Sequence, residues 1–238
     1  MKNTRKNHLF FLFTLTVAAL TAFTSCNKDR EEIAALLSES EASEIAETAI
    51  SDRTAGTTTP TVDVAKLIES SLGNCGVPGD TSFQKSKSGA VSYNYKYDLG
   101  WIVNCNNLNI PQNATATVKG NGTFGTTRWD GTTQGNGNLT FTGLGLSDPN
   151  YIANGSYAVN GDVTGDFRKV DPMLTCKTEV TLTNLTISKS TYKVTGGTGT
   201  LKITVTDGQG RTETINGTLT FNADGTVTVT INGHTHTF

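Results

Sequence analysis

From Ser88 to the C-terminus, apolar and polar residues alternate with period two, and this limits what the chain can fold into more than any other feature. Val227, Val229 and Ile231 fall on one side, Thr226, Thr228 and Thr230 on the other, and Leu201, Ile203 and Val205 repeat the pattern. Successive side chains of a strand point to opposite faces, so these runs read as half-buried antiparallel strands. Asp130-Gly131, Asp207-Gly208, Asp224-Gly225 and Asn232-Gly233 separate the runs at hairpin spacing and predict a meander. Asn216-Gly217 differs, because the odd positions stay apolar from Ile215 through Leu219 to Phe221, which places Gly217 inside a strand. Parity shifts between Leu182 and Leu185, and between Phe141 and Leu144, predicting bends near Thr183-Asn184 and Gly143. The expected fold is mainly β: a curved antiparallel meander, either a barrel or a sheet folded over as a sandwich, behind a short N-terminal helical stalk.

The longest unbroken alternation runs from Val91 through Tyr93, Tyr95, Tyr97, Leu99, Trp101 and Val103 to Cys105. A row of rings can stack on sugars, but aromatic side chains bury large apolar areas and this chain has few others to fill a core. The row is therefore read as a core face. Trp129, beside Asp130-Gly131, is the expected exposed aromatic and the candidate for surface recognition. The Thr-x-Thr rows, such as Thr218/Thr220 and Thr226/Thr228/Thr230, are read as a soluble outer face, since Thr combines high β-propensity with a polar tip.

At the other terminus, Lys2, Arg5 and Lys6 precede an apolar run from Leu9 to Phe23, the arrangement of a secretory signal peptide. Thr24-Ser25-Cys26 follows and resembles the lipobox of bacterial lipoproteins, which implies residues 1–25 as leader and Cys26 as the diacylated new N-terminus. The membrane is then a partner through the anchor at Cys26. The charged cluster Asn27-Lys28-Asp29-Arg30-Glu31-Glu32 resembles the signal that sends Bacteroidota lipoproteins to the outer face of the outer membrane. Residues 26–62 read as an acidic, partly helical tether: Asn27 to Val62 carries eight Asp/Glu against three Lys/Arg. Gly56 to Thr61, with Pro60, reads as a flexible joint. Residues 63–87 form a helical and loop lead-in, with Asp63 capping a helix to Leu72, and residues 88–238 form the β domain.

Chemistry-bearing constellations are few. From Asp63 onward the charges balance, so the domain has no electrostatic footprint for nucleic acid. With Cys26 set aside, Cys75, Cys105 and Cys176 remain, an odd number in an exported domain. A Cys75–Cys105 disulfide would tether the lead-in to the sheet and leave Cys176 as a buried thiol, though three cysteines allow other pairings. His234 and His236, two apart on a strand, point to one side and are the weak metal candidates; no carboxylate near them in sequence completes a site, and packing on the apolar side is the preferred reading. Asp162, Asp166 and Asp171 are the densest acids of the β region and read as solvated loop charge. No hydrolase, phosphate-binding or calcium-binding motif occurs, so no catalytic residue and no cofactor is assigned.

Cys75-Gly76, the Tyr strand ending in Cys105-Asn106, Asn154-Gly155-Ser156-Tyr157, the run Asn184 to Tyr192 and Ile231-Asn232-Gly233 together resemble a family of small β-rich Bacteroidota outer-membrane lipoproteins without assigned activity. The resemblance implies location and fold, and no catalytic residue. Three functional expectations follow: a surface-displayed structural or binding module for a glycan or protein; a periplasm-facing carrier with more inward apolar volume than its side chains fill; or a surface hydrolase of glycans or peptides.

Overall fold

The computed structural model describes residues 35–165, 168 and 172–238; Cys26 and the charged cluster behind it lie outside the described residues. Leu36 to Phe238 forms one compact unit. Its ten strands run in sequence order in a single antiparallel sheet: β1 (Gly79–Lys87), β2 (Ser92–Cys105), β3 (Pro111–Gly125), β4 (Asp130–Thr142), β5 (Asn150–Thr164), β6 (Met173–Ser188), β7 (Val194–Asp207), β8 (Thr212–Phe221), β9 (Val227–Ile231) and β10 (His234–Thr237). β1 and β10 do not pair, so the sheet is an open meander, not a closed barrel. Its hairpin turns alternate between two ends. One, here the entry end, carries the turns after β1, β3, β5, β7 and β9; the far end carries those after β2, β4, β6 and β8.

Two helices cover the apolar face. In α1 (Glu39–Ile50) Ala42, Ile45, Ala46 and Ile50 are buried at helical spacing, and in α2 (Thr58–Ser70) Thr61, Val64, Ala65 and Ile68. Ser38 starts α1 with a capping box: its hydroxyl accepts the Glu41 N–H at 3.3 Å while the Glu41 carboxylate accepts the Ser38 N–H at 2.7 Å. Residues 36–62 are thus part of the domain rather than a stalk or tether. Two forces override the tether reading: burial of Leu36, Leu37 and the α1 stripe, and neutralisation of the helix acids by turn arginines. The segment read as a joint is the start of α2, because Pro60 sits in the first turn, where its missing N–H removes no intrahelical bond. Asp63, expected as a cap, lies one turn inside and pairs with Lys85 of β1. The lead-in likewise contains β1, which pairs with β2 from Gly79↔Trp101 to Lys87↔Tyr93.

The entry point is defined by Glu213 at the start of β8, whose Oε2 accepts the N–H groups of Leu36 at 2.6 Å and Leu37 at 3.1 Å. α1 then crosses the entry end. Glu39 lies 3.5 Å from His234 in β10, Glu41 3.1 Å from Arg168 in the β5–β6 connection, and Glu44 2.6 Å from Arg128 in the β3–β4 turn. α2 runs toward the far end, where Trp101 Nε1 donates to Ser71 at 2.9 Å and the Tyr192 hydroxyl donates to Glu69.

The Tyr row of β2 faces the helices, with Tyr95, Tyr97, Leu99 and Val103 buried. Its rings lie across glycines of neighbouring strands: Tyr97 opposes Gly120, Tyr95 Gly122 and Trp101 Gly79, while Phe124 opposes Gly131 and Tyr157 Gly137. An aromatic folded over a bare cross-strand position shields backbone that glycine leaves open. Curvature comes from irregularities where parity shifts: the β6–β7 register breaks between Thr183 and Thr186, Asn184 adopts φ 52°, and Asn154 Oδ1 accepts the Asn184 N–H at 2.8 Å. Gly143, with φ 72°, ends the inward run of β4. Gly217 lies within β8, opposite Leu201 and Ile231.

A Cβ on Gly137 would stand 2.5 Å from the Tyr157 ring. Gly137→Val is therefore expected to lower unfolding stability by about 1–3 kcal/mol in urea titration, the usual overpacking range. Gly73→Ala, whose Cβ would meet nothing within 4 Å, should change stability by less than about 0.5 kcal/mol.

Candidate functional site

Two features of the domain are candidates for a site: a chamber under α1 and the loops of the far end. The chamber lies beneath α1 where Gly120 of β3 directly opposes Gly135 of β4, a cross-strand pair covered by the Tyr97 ring and by Val159. The cavity left there is about 90 Å³. Tyr95, Tyr97, Phe124, Trp129 and Tyr157 form its aromatic walls, with Ile45 and Ala49 of α1 and Val118 and Val163 of the sheet. Two tyrosine hydroxyls of the wall have internal partners: Tyr97 donates to the Ala55 carbonyl, and Tyr157 and Thr61 share a bond of 2.7 Å. Burial raises the pKa values of Tyr97 and Tyr157 well above the ordinary phenol value, so both rings stay neutral.

Trp129 stands here and not on the surface. It is 1% exposed, which overturns its assignment to surface recognition. Asp130-Gly131 is not the turn: the chain reverses through Thr126 to Trp129, closed by the Thr126 N–H donating to the Trp129 carbonyl at 2.7 Å, and Asp130 already belongs to β4. With the reversal before it, the indole turns in beneath α1, which Arg128 holds through Glu44.

Cys176 also lines the chamber. Its thiol is buried 3.7 Å from the Thr178 hydroxyl, and burial, only partly offset by that contact, pushes its pKa up to about 11. It is a packing residue, since the thiolate is the reactive form.

At the far end Cys75 and Cys105 form a disulfide with Cα atoms 5.6 Å apart. It joins the loop after α2 to the end of β2, where the Gly76 N–H also donates to the Val103 carbonyl at 2.8 Å. The adjoining β2–β3 turn is held by Asn106, whose Oδ1 accepts the Leu108 N–H at 2.9 Å and the Ile110 N–H at 3.0 Å. The Asn109 carbonyl lies 3.6 Å from the Cys75 sulfur, so this turn and the disulfide loop are neighbours. Val77, Leu108 and Ile110 project from them into solvent. Leu146 is fully exposed on the β4–β5 turn, which is braced by Lys189 Nζ donating to the Gly145 carbonyl at 2.6 Å. No sequence reading singled out these loops, although the run of asparagines around Leu108 and Ile110 was visible as turn chemistry.

The remaining candidates do not converge. His234 opposes Ile231 and His236 opposes Val229 across the final hairpin; His234 is exposed beside Glu39, and His236 packs half-buried at the sheet edge. Among the described residues no three His, Cys, Asp or Glu side chains gather to hold a metal ion, and no helix is long and apolar enough to cross a membrane. Asp162 accepts a hydrogen bond from Thr175 at 2.9 Å, an exposed strand contact; Asp166 and Asp171 lie outside the described residues.

Two outcomes are expected. In a Cys26→Ala background, iodoacetamide at neutral pH should leave Cys176 unmodified in the folded chain and alkylate it once denatured, read by mass spectrometry. Replacing Cys75 and Cys105 together by Ser should cost about 2–4 kcal/mol in denaturant unfolding, because the loop they close is then free in the unfolded chain.

Comparison of the chain with protein-family models, with curated proteins and with solved structures returns no match.

Proposed function

We propose that the chain is a lipoprotein of the outer membrane, anchored through Cys26 and displayed outward, that acts by binding and offers its far end to a protein partner. The carrying observation is the distribution of exposed large apolar side chains among the described residues. Of Val77, Leu108, Ile110, Leu146 and Met173, only Met173 lies at the entry end, where Leu36 enters the domain. Scattered surface hydrophobics need no explanation, whereas a set gathered on braced loops at one end of a domain marks an interaction surface.

The chemistry of the partner follows from charge. Neither Ser70–Gly79 nor Leu99–Val118 contains an Asp, Glu, Lys or Arg, and Asn74, Asn106 and Asn107 surround the apolar groups. Interface cores are depleted in charge, and asparagine amides need hydrogen-bonding partners that a lipid interior lacks. At the disulfide loop and the β2–β3 turn the occupant is an uncharged protein surface, while the β4–β5 turn offers Asp148 and Lys189 for polar contact. Loops pinned by a disulfide and by Asx bonding also lose little entropy on docking.

Because Leu36 already belongs to the domain, the tether shortens to Cys26–Ala35, and ten residues span at most about 35 Å. The domain then works close to its membrane. Cys26→Ala should move the chain from the membrane fraction to the soluble fraction. A photo-crosslinking residue at Leu108 on intact cells should yield one discrete protein adduct, absent when the crosslinker stands at Gln209 on the entry end and lost with Ile110→Asn. Equal adducts from both positions, or none at Leu108, would defeat the docking assignment.

A further inference from the structure

The outer face of the sheet carries a trough that docking at the far end does not use. We infer that this trough binds an uncharged glycan chain lying across the strands. Its shape, its hydrogen-bonding groups and its charge each support the assignment.

The cross-strand register sets two rows of side chains next to each other on the outer face. Ser156, Thr181, Thr200, Thr218 and Thr230 stand opposite one another from β5 to β9, and Asn136, Ala158, Glu179, Lys202 and Asn216 from β4 to β8. Both rows line one open depression of about 750 Å³. That volume falls within the ~300–1,000 Å³ of ligand sites. Ala158, a methyl between the longer side chains of Asn136 and Glu179, gives the depression depth. Six strands at about 4.8 Å spacing make it about 24 Å long, while the rows, two residues apart along each strand, are about 7 Å apart. A linear chain of sugar rings has those proportions.

The hydrogen-bonding groups of the trough are unpaired. The five hydroxyls of the first row and the amides of Asn136 and Asn216 bond to no other described residue. Elsewhere on the same face threonines bond each other across strands: Thr204 and Thr214 at 3.3 Å, Thr206 and Thr212 at 3.1 Å, Thr228 and Thr237 at 3.0 Å. Either arrangement keeps the face soluble. Only the unpaired groups can exchange water for a ligand, and sugar hydroxyls, which both donate and accept, match hydroxyls and amides in kind.

Charge selects the ligand class. Glu179 lies 2.8 Å from Lys177 and 3.4 Å from Lys202, so the trough's own acid and base neutralise each other. A nucleic acid would find neither a basic track nor stacking rings. Protein interfaces centre on aromatic, Met and Arg side chains, and none faces the trough; the Tyr157 ring points to the opposite face, where its hydroxyl meets Thr61.

Native electrophoresis of the Cys26→Ala chain through gels containing galactomannan, xyloglucan or amylopectin, all neutral, or polygalacturonate, which is anionic, tests this. At least one neutral polymer should retard the chain, and raised salt should not release it, because no ion pair to the ligand is there to be screened. Replacing Thr181, Thr200 and Thr218 together by Val keeps their shape and removes three hydroxyls, and should weaken binding by about tenfold or more. Ala158→Arg, which fills the depression from the outer face, should weaken it as well. Thr204→Val with Thr214→Val, whose hydroxyls bond each other, should leave it unchanged. No retardation by any neutral polymer, or retardation by polygalacturonate alone, overturns the inference. Equal weakening in the Thr204/Thr214 variant, or undiminished binding in both trough variants, removes the site from this trough.

Discussion

A ten-stranded antiparallel sheet that does not close leaves one apolar face without a partner, and burial of that face by α1 and α2 is the contact on which everything else in this domain rests. Outside the bulges, the inner residues of β2 to β9 alternate with mostly polar outer ones, and the helix stripes Ala42/Ile45/Ala46/Ile50 and Val64/Ala65/Ile68, with Leu36 and Leu37, cover them. Small residues on both helices let the backbones approach, and Gly56 allows a tight return: a Cβ there would sit 2.6 Å from the Ile50 backbone. At about 25 cal/mol per Å², the apolar area removed from water is the main favourable term, and the hydrogen-bonded outer face adds solubility more than stability.

The helices are held in place by charge at one end and by aromatic hydroxyl and indole contacts at the other. The Arg168–Glu41 pair is nearly buried, with side chains 14% and 11% exposed, so removing either partner would strand a buried charge, whereas Arg128–Glu44 is about one-third exposed and is screened by solvent. The Glu41 carboxylate serves twice, closing the capping box with one oxygen and meeting Arg168 with the other. The acidity of this segment, which suggests a solvated stalk when read alone, is the complement of arginines contributed by turns more than eighty residues away.

The same physics sets the division of labour between the two ends. Strand-to-strand glycines admit the rings that build the core, and the chamber remains between those rings and α1. The far end is different in kind: its apolar groups sit on loops fixed by a disulfide and by Asn106, so their exposure is maintained by covalent and hydrogen-bond constraints rather than relieved by collapse.

Strand alternation, the turns at Asp207-Gly208, Asp224-Gly225 and Asn232-Gly233, the in-strand position of Gly217 and the bend at Asn184 were all legible in the sequence, because period two and positive φ are local requirements of the backbone. So was the inward direction of the Tyr row, since a chain poor in large apolar residues must spend its aromatics on the core. What lay beyond local reading depended on distant partners. Whether the sheet closed turned on whether β1 met β10 or α1 and α2 filled the space between. Trp129 looked exposed because the turn was placed three residues too late, and a shift by an odd number of residues reverses which face a strand residue occupies. The α1 acids acquired their role only from Arg128 and Arg168, and the chamber's lining is assembled only by the tertiary fold, which brings Ile45 and Ala49 of α1 over rings from β2, β3 and β5.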